Sequence, residues 1–468
     1  MPTNRPQLLV IGGGPGGYAA AFRAADLGTE VTIVDDDDRL GGTCLIRGCI
    51  PSKALLHLAA IISETREAES HGLKFAAPEI DLDSIRAFKD GVVDKLTGGL
   101  AGLARQRHVT HIKGRASFGS SRRAIITGSS EFDSVEFDHA IIATGSRPAS
   151  IPLFDVGSDR VLNSTTALAL KDVPKSMLVV GGGYIGLELG LVYAELGSKV
   201  TVVEMTEGLL PGADRDLVTP LQKRLSRIFQ DIHLNTAVRK VEAGIDEVTV
   251  ALDGDSGLFE QSYQKILVSI GRRPNSETLG LENTGVVVDE RGFIEADHQQ
   301  RTADERIFAI GDVIGGGLAH TATHQGKIAA EVLSGADTAF DKVVPAVVFT
   351  NPEVAWVGLT ETQAKAEGKR VEIAKFPWAA SGRAMTLGRS DGLTKLIVEP
   401  VSNRILGVGI VGPGAGELIA EGTLAIEMAA VVEDLSATIH PHPTLSESVG
   451  ISAEIFEGTA TDLFTPKR

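Results

Sequence analysis

Cys44 and Cys49 are the only cysteines in a chain of 468 residues, and they stand five positions apart. Chance would seldom place them so close. A purely structural disulfide here would close too short a loop to stabilise much, because the entropic benefit grows with loop length. A redox-active pair explains the spacing better; the competing reading is two buried thiols acting as small hydrophobes. Five residues of straight helix rise about 7.5 Å, whereas a disulfide needs Cα atoms within about 4.4–6.8 Å. The segment must therefore bend, and Gly48 beside Cys49 allows it. Strained, accessible disulfides are the reducible ones.

A dithiol gives up two electrons, so the elements around it should hold an acceptor. Residues 8–11 read as a buried strand running into Gly12-Gly13-Gly14-Pro15-Gly16-Gly17, then a helix over 18–27 and a strand over 30–34 ending at Asp35. Gly12, Gly14 and Gly17 have the G-x-G-x-x-G spacing: a tight turn, close approach of a pyrophosphate, and close helix–strand packing. The helix N-terminus then faces the phosphates, and Asp35 would bind a ribose hydroxyl. Asp36 to Asp38 read as a solvated loop.

The pattern returns 169 positions later without a gap. Strand 178–180 leads into Gly181, Gly183 and Gly186. Gly197 matches Gly28, strand 200–203 follows, and Glu204 matches Asp35. Two dinucleotide-binding domains follow from this repeat. A flavin exchanges electrons with both dithiols and nicotinamides, so one site would hold FAD and the other a nicotinamide nucleotide.

Further along, 55–69 and 82–106 read as helices, the second interrupted at Gly98-Gly99. Residues 109–137 read as short strands with turns at Gly114 and Gly128. Strand 140–143 enters Thr144-Gly145-Ser146-Arg147-Pro148, and strand 266–270 enters Gly271-Arg272-Arg273-Pro274 in parallel fashion. Strand 307–310 ends in Gly311-Asp312, where the acid suits either a cofactor hydroxyl or a turn cap, and a helix over 320–333 follows. From 344 onward, strands at 347–350, 354–358, 371–376, 394–398 and 405–411 with a helix over 417–430 make a mainly antiparallel α+β domain. The fold class expected is α/β: two Rossmann-like dinucleotide-binding domains plus a C-terminal α+β dimerisation domain. The divisions are 1–150 (FAD), 151–275 (NAD), 276–345 (central, completing the FAD site) and 346–468 (interface). Near the end, His442 and Glu447 flank a proline-set turn; His442 is either a structural residue or half of a His–carboxylate base working near neutral pH.

The net charge of −16 argues against nucleic acid and anionic membranes as partners. No apolar run is expected to span a bilayer. Met1 to Gln7 is short and polar, unlike a signal or transit segment, and a single cysteine pair suits a reducing, cytoplasmic compartment.

With these pieces placed, the chain resembles the dihydrolipoamide dehydrogenases of the FAD-dependent pyridine nucleotide-disulfide oxidoreductase family. The marks are Gly-Gly-Thr-Cys with Gly-Cys-Ile-Pro-Ser-Lys, Ala-Thr-Gly-Ser-Arg-Pro at 143–148, Gly-Gly-Gly-Tyr-Ile-Gly-Leu-Glu at 181–188, Phe-Ala-Ile-Gly-Asp at 308–312 and His-Pro-Thr-Leu-Ser-Glu at 442–447. The resemblance implies a dithiol relay. His442, oriented by Glu447 and supplied by the partner subunit of a homodimer, takes a proton from a dihydrolipoyl thiol. Cys44 is the interchange sulfur, and Cys49 the charge-transfer thiolate against the flavin. Reduced FAD then passes hydride to NAD⁺. Lys53 sits by the flavin edge, and Asp312 and Ala319 hold FAD. The remaining implied cofactor contacts are Gly42, Thr43, Gly114, Thr144, Gly145, Ser146, His320, Ile185, Glu188, Val238 and Gly271. The His442–Pro443 bond is expected to be cis, as in relatives. A lipoyl-bearing protein of a multienzyme complex is the implied partner.

Relatives divide on details. No further cysteine pair exists for a mercuric or large thioredoxin reductase. Glu204-Met205-Thr206-Glu207 replaces the basic residues of NADPH enzymes, and a carboxylate bonds a free 2′-hydroxyl while repelling a 2′-phosphate. Ile46, Arg47, Thr321, Gln325 and Pro441 depart from the common pattern. Arg47, lying between the cysteines, is expected to lower a thiol pKa. Two other functions compete: an NAD(P)H-dependent reductase of another small disulfide, and a non-catalytic flavoprotein that helps assemble a complex.

Overall fold

The computed structural model describes residues 6–255 and 257–463, so the first five residues of the polar lead-in lie outside the described residues. Apolar strands and glycine turns build two parallel sheets. In the first, five strands lie in the order Ile307–Ala309, His139–Ile142, Leu8–Ile11, Val31–Asp35, Thr110–Lys113, all parallel. Leu9, Val10, Ile33, Ile141 and Ile142 are fully buried, as expected of strands covered on both faces. The strand at Ile307–Ala309 comes from beyond the second nucleotide fold and adds an edge to this first sheet. It thereby delivers Gly311-Asp312 to the carboxyl ends of the strands, where ligands of open α/β sheets bind.

The second sheet repeats the plan: Asp231–His233, Lys199–Val203, Ser176–Val180, Lys265–Val268, Val161–Leu162, again parallel. The two exits that looked alike in sequence pair with one another. Ser146–Pro148 and Arg272–Pro274 form an antiparallel ribbon, with Arg273 opposite Arg147. The third unit is a five-stranded antiparallel sheet, Ala346–Val348, Glu353–Gly358, Ile405–Gly412, Leu393–Val398, Glu372–Pro377. Helices Ala415–Glu427 and Glu447–Glu457 pack on it.

Three expectations need correction. The helix Leu82–Gln106 runs unbroken through Gly98-Gly99. Both glycines are exposed with open space around them; each costs only about 1 kcal/mol relative to Ala, and Val93, Thr97 and Ala104 anchor the buried face. The redox helix starts at Cys49 rather than 55. Finally, residues 42–71 are long and apolar enough by composition to cross a membrane. In the fold this stretch breaks at Gly48 and carries Lys53 paired with Glu188. It buries Leu55, Leu56 and Ala59 in one cluster with Leu187 and Leu191 of the second nucleotide domain.

A buried cation fastens the second nucleotide domain to the antiparallel sheet. Lys395, 1% exposed, lies 2.7 Å from Asp214, 2.8 Å from Asp216 and 2.9 Å from Glu361. Asp214 also accepts the N–H groups of Glu361 at 2.9 Å and Thr362 at 3.0 Å. Removing one partner of such a group strands the others in a dry environment. Lys395→Met should lower the unfolding free energy by about 3–5 kcal/mol, read as an earlier midpoint in chemical denaturation. A wild-type midpoint would show that the node is dispensable.

Candidate active site

The two glycine turns agree down to single hydrogen bonds. Gly12 has φ +108° and Gly181 φ +107°, a backbone region that side chains resist. In the first copy, Asp35 accepts the N–H of Gly13 and, at 2.8 Å, that of Asp37. In the second, Glu204 accepts Gly182 N–H at 2.7 Å and Thr206 N–H at 2.8 Å. Burial pushes the Asp35 carboxyl upward, and the Gly13 and Asp37 N–H groups pull it back down. Each helix begins directly after the third glycine of its cluster, at Pro15 and at Tyr184, so its N-terminal N–H groups face the space in front of the turn.

That space is a cavity of about 860 Å³. Its lining joins Gly12, Gly14 and Asp35 to Gly42, Thr43, Cys44, Cys49 and Lys53, to Gly114, Thr144, Gly145 and Ser146, and to Asp312 and Ala319. Ile185 and Glu188 reach it from the second nucleotide domain. The volume falls in the range of cofactor sites. A Cβ on Gly42 would come within 2.5 Å of Gly14 Cα, so only glycines leave room for a diphosphate between the turn and the redox segment. An elongated flavin dinucleotide fits this donor set.

Several predicted residues lie elsewhere. Gly17 packs the first helix against Gly12, where a Cβ would meet the Gly12 carbonyl at 1.8 Å. His320 places its Nε2 2.9 Å from the Pro345 carbonyl oxygen. Gly181, Gly183, Gly186, Glu204 and Gly271 gather around the second turn and the strand end after Val268, outside the cavity lining. Val238 lies on the antiparallel strand Ala237–Ala243, packed against that domain's core.

The cysteines sit on two helices, Gly42–Arg47 and Cys49–Glu67, that meet at Gly48. A Cβ at Gly48 would stand 2.8 Å from the Thr43 carbonyl, so the bend requires glycine. Both residues are free thiols, Cys49 the more accessible. They share a hydrogen bond that favours the anion on Cys49 and keeps the proton on Cys44. This bond, with the Lys53 cation helping against burial, brings Cys49 down to about 7; it and burial push Cys44 upward. The expected source of this activation was Arg47. Its guanidinium instead pairs with Asp37, and the cation that lowers both thiols is Lys53. Asp36 likewise pairs with Arg115 at 2.8 Å, so the acid run is not simply a solvated loop: two of its members are held by arginines from facing elements.

Lys53 Nζ lies 2.7 Å from Glu188 and 4.5 Å from the centre of the Phe349 ring, and the Phe349 N–H donates to Glu188 at 2.9 Å. Asp312 accepts from Ser146 Oγ, with Arg272 3.7 Å away, so it caps this junction as well as lining the cavity. Arg272 and Asn275 escaped the sequence reading. Arg272 donates to the Ser146 carbonyl at 2.6 Å, and Asn275 donates to the Thr144 carbonyl at 2.9 Å; both line the cavity. The similarity of the two domain exits was the available signal.

His442 and Glu447 form a pair, Nδ1 to Oε1 2.8 Å, and the second carboxylate oxygen accepts Thr444 N–H at 2.7 Å. The Nδ1 contact turns Nε2 outward. The His442–Pro443 bond is cis, as is Asn351–Pro352. The His442 side chain is 79% exposed, and no histidine lines the cysteine cavity among the described residues. A second pair, His440 Nε2 to Glu421 at 2.7 Å, braces the same turn and was not anticipated.

Because Lys53 stabilises the Cys49 anion, Lys53→Gln should raise the thiolate midpoint of the dithiol form above about 7. The thiolate would then be lost at a higher pH as the solution is acidified. A pH titration of thiolate absorbance checks this, and an unmoved midpoint would assign the activation to the Cys44 hydrogen bond alone.

Residues 6–326 match the pyridine nucleotide-disulphide oxidoreductase family, and residues 344–453 match its dimerisation domain. A dihydrolipoyl dehydrogenase of Vibrio parahaemolyticus is 49% identical over 462 residues, covering 98% of this chain and 97% of that protein. One from Haemophilus influenzae is 50% identical over 462 residues, covering 98% and 96%. Among solved structures, the HOCl-induced flavoprotein disulfide reductase RclA from Escherichia coli matches with a TM-score of 0.85 at 28% identity, covering 96% of this chain and 99% of that one. Since the likeness runs through both nucleotide folds and on into the antiparallel domain, the chain belongs to the pyridine nucleotide-disulphide oxidoreductase family, whose chemistry uses FAD and NAD.

Proposed function

We propose that this protein is an NAD-dependent flavoenzyme that oxidises protein-bound dihydrolipoamide, working as a homodimer in the cytoplasm and serving a 2-oxoacid dehydrogenase or related complex. One observation carries the reading furthest: a cysteine pair poised for thiolate chemistry opens on a nucleotide cavity that no histidine lines among the described residues, while an oriented His–Glu pair is exposed on the dimerisation domain. A second copy of the chain would bring the two together. The exposed apolar side chains of Ile439, beside the His442 turn, and of Leu424 and Met428, at the end of the helix whose Glu421 holds His440, support a covered face there.

In this reading the partner's His442 accepts the proton of one dihydrolipoyl thiol through Nε2, and Glu447 stabilises the imidazolium. The resulting thiolate attacks Cys44 Sγ in the disulfide form, forming a mixed disulfide and releasing Cys49 as a thiolate. The second lipoyl thiol attacks the lipoyl sulfur of the mixed disulfide; the bond to Cys44 breaks, the second thiol's proton passes to the departing Cys44 sulfur, and lipoamide leaves with a closed ring while the first proton stays on His442. Bound FAD would supply the two-electron link between the Cys44–Cys49 dithiol and NAD⁺. Gly12, Gly14, Asp35, Gly42, Thr43, Lys53, Asp312 and Ala319, which line one cavity, would hold the flavin dinucleotide. Gly181, Gly183, Gly186 and Glu204 would hold NAD, the carboxylate of Glu204 disfavouring a 2′-phosphate.

The test is NADH formation from dihydrolipoamide by the purified protein, with NADP⁺ and glutathione disulfide assayed in parallel. Turnover with NAD⁺ and dihydrolipoamide alone is expected. Preference for glutathione disulfide with NADPH would move the protein to a neighbouring reductase, and a yellow protein inactive in every assay would favour an assembly role.

His442→Gln should cut kcat by about 10²–10⁴-fold, the usual contribution of a positioned acid–base group. Dimers assembled from Cys44→Ser and His442→Gln chains should recover activity that neither homodimer has, because one of their two sites is intact. Failure to recover it would place the base and the cysteines in one subunit.

A further inference from the structure

Arg47 projects from the short helix between the two cysteines and pairs with Asp37. The pair is partly sheltered, with side-chain exposures of 35% and 25%. Both residues line the cofactor cavity. Asp37 has a second connection: its N–H donates to Asp35 Oδ1 at 2.8 Å, while Gly13 N–H holds Oδ2. The neighbouring acids do not compete for Arg47. Asp36 is taken by Arg115 at 2.8 Å, and Asp38 is exposed. The second nucleotide fold holds Glu204 with the equivalent backbone N–H, from Thr206 at 2.8 Å. There the loop is closed locally, by Thr206 Oγ1, which lies within donating distance of the same carboxylate at 2.9 Å and of the Gly208 carbonyl at 3.0 Å. In the first fold the corresponding residue is an aspartate, whose side chain is an acceptor and is held from outside, by the redox segment.

We propose that Arg47 is a positioning residue for the adenosine ribose of FAD. By holding Asp37 it fixes the N–H that orients the Asp35 carboxylate, and so ties the cysteine loop to the far end of the cofactor. Both partners are partly sheltered from water, and charged hydrogen bonds in such places are stronger than neutral ones. The inference rests on the reading of Asp35 as the ribose ligand, and it differs from a role of Arg47 in thiol activation.

The experiment follows FAD release from the purified holoenzyme by the rise of flavin fluorescence in a fixed concentration of chaotropic bromide. Arg47→Val and Asp37→Asn should each speed release about tenfold, the size expected when a charged hydrogen bond is lost. The double variant should release no faster than either single, because both cut the same link, and the pH midpoint of the Cys49 thiolate should stay in place. Asp37→Asn tests the link from its other end should Arg47→Val not fold. Asp35→Asn is the benchmark. Fast release from Asp35→Asn with wild-type release from the other two would overturn the inference and leave the ribose reading standing. Multiplying effects in the double variant would also overturn it. Wild-type release from Asp35→Asn would remove the ribose reading and the inference together.

Discussion

The Lys53–Glu188 ion pair is the contact on which the arrangement of the redox centre depends. Lys53 belongs to the redox helix, Glu188 to the helix Tyr184–Glu195 of the second nucleotide domain, and Phe349, whose N–H completes the carboxylate's shell, to the start of the antiparallel unit. Three units thus meet at one nearly buried carboxylate. A charge in that position is tolerated only when its lone pairs are met, so each unit's placement is conditional on the others. The same ammonium group stabilises the Cys49 anion. Chemistry and architecture draw on one cation here, and neither has a substitute nearby among the described residues.

Much of this was readable in the linear sequence because its cause is local. A glycine turn needs glycines at set spacings, and the repeat at a constant offset carried the acid with it. The bend at Gly48 followed from the incompatibility of a straight helix with a short cysteine spacing. The strands of the last unit were visible for a similar local reason: short apolar runs bounded by turn residues read as strands.

What escaped the reading is what long-range packing decides. Gly98-Gly99 looked like a break, yet the helix is held by its opposite face and the glycines cost it little. The acids after Asp35 looked solvated because the arginines that meet them, Arg47 and Arg115, arrive from other elements. Arg47 was placed correctly beside the cysteines, but sequence proximity does not say which way a long side chain turns, and Asp37 is the stronger attractor. Lys395 gave no signal at all: it is a lysine in an apolar strand until Asp214, Asp216 and Glu361 surround it.

The carboxylate that ends the second strand of each nucleotide fold has its oxygens engaged by the backbone before any coenzyme arrives. Glu204 receives Gly182, Thr206 and the Thr206 hydroxyl; it braces the turn in addition to the ribose selection proposed for it. Redesign of coenzyme preference toward a phosphorylated ribose therefore cannot treat this position as a surface choice. Trading the acid for a small or basic residue releases the loop that shapes the pocket, so a successful switch needs a replacement brace in the same move. On the proposed role of Glu204, selectivity for the unphosphorylated coenzyme is a by-product of how the turn is built, and for that reason difficult to lose by single steps.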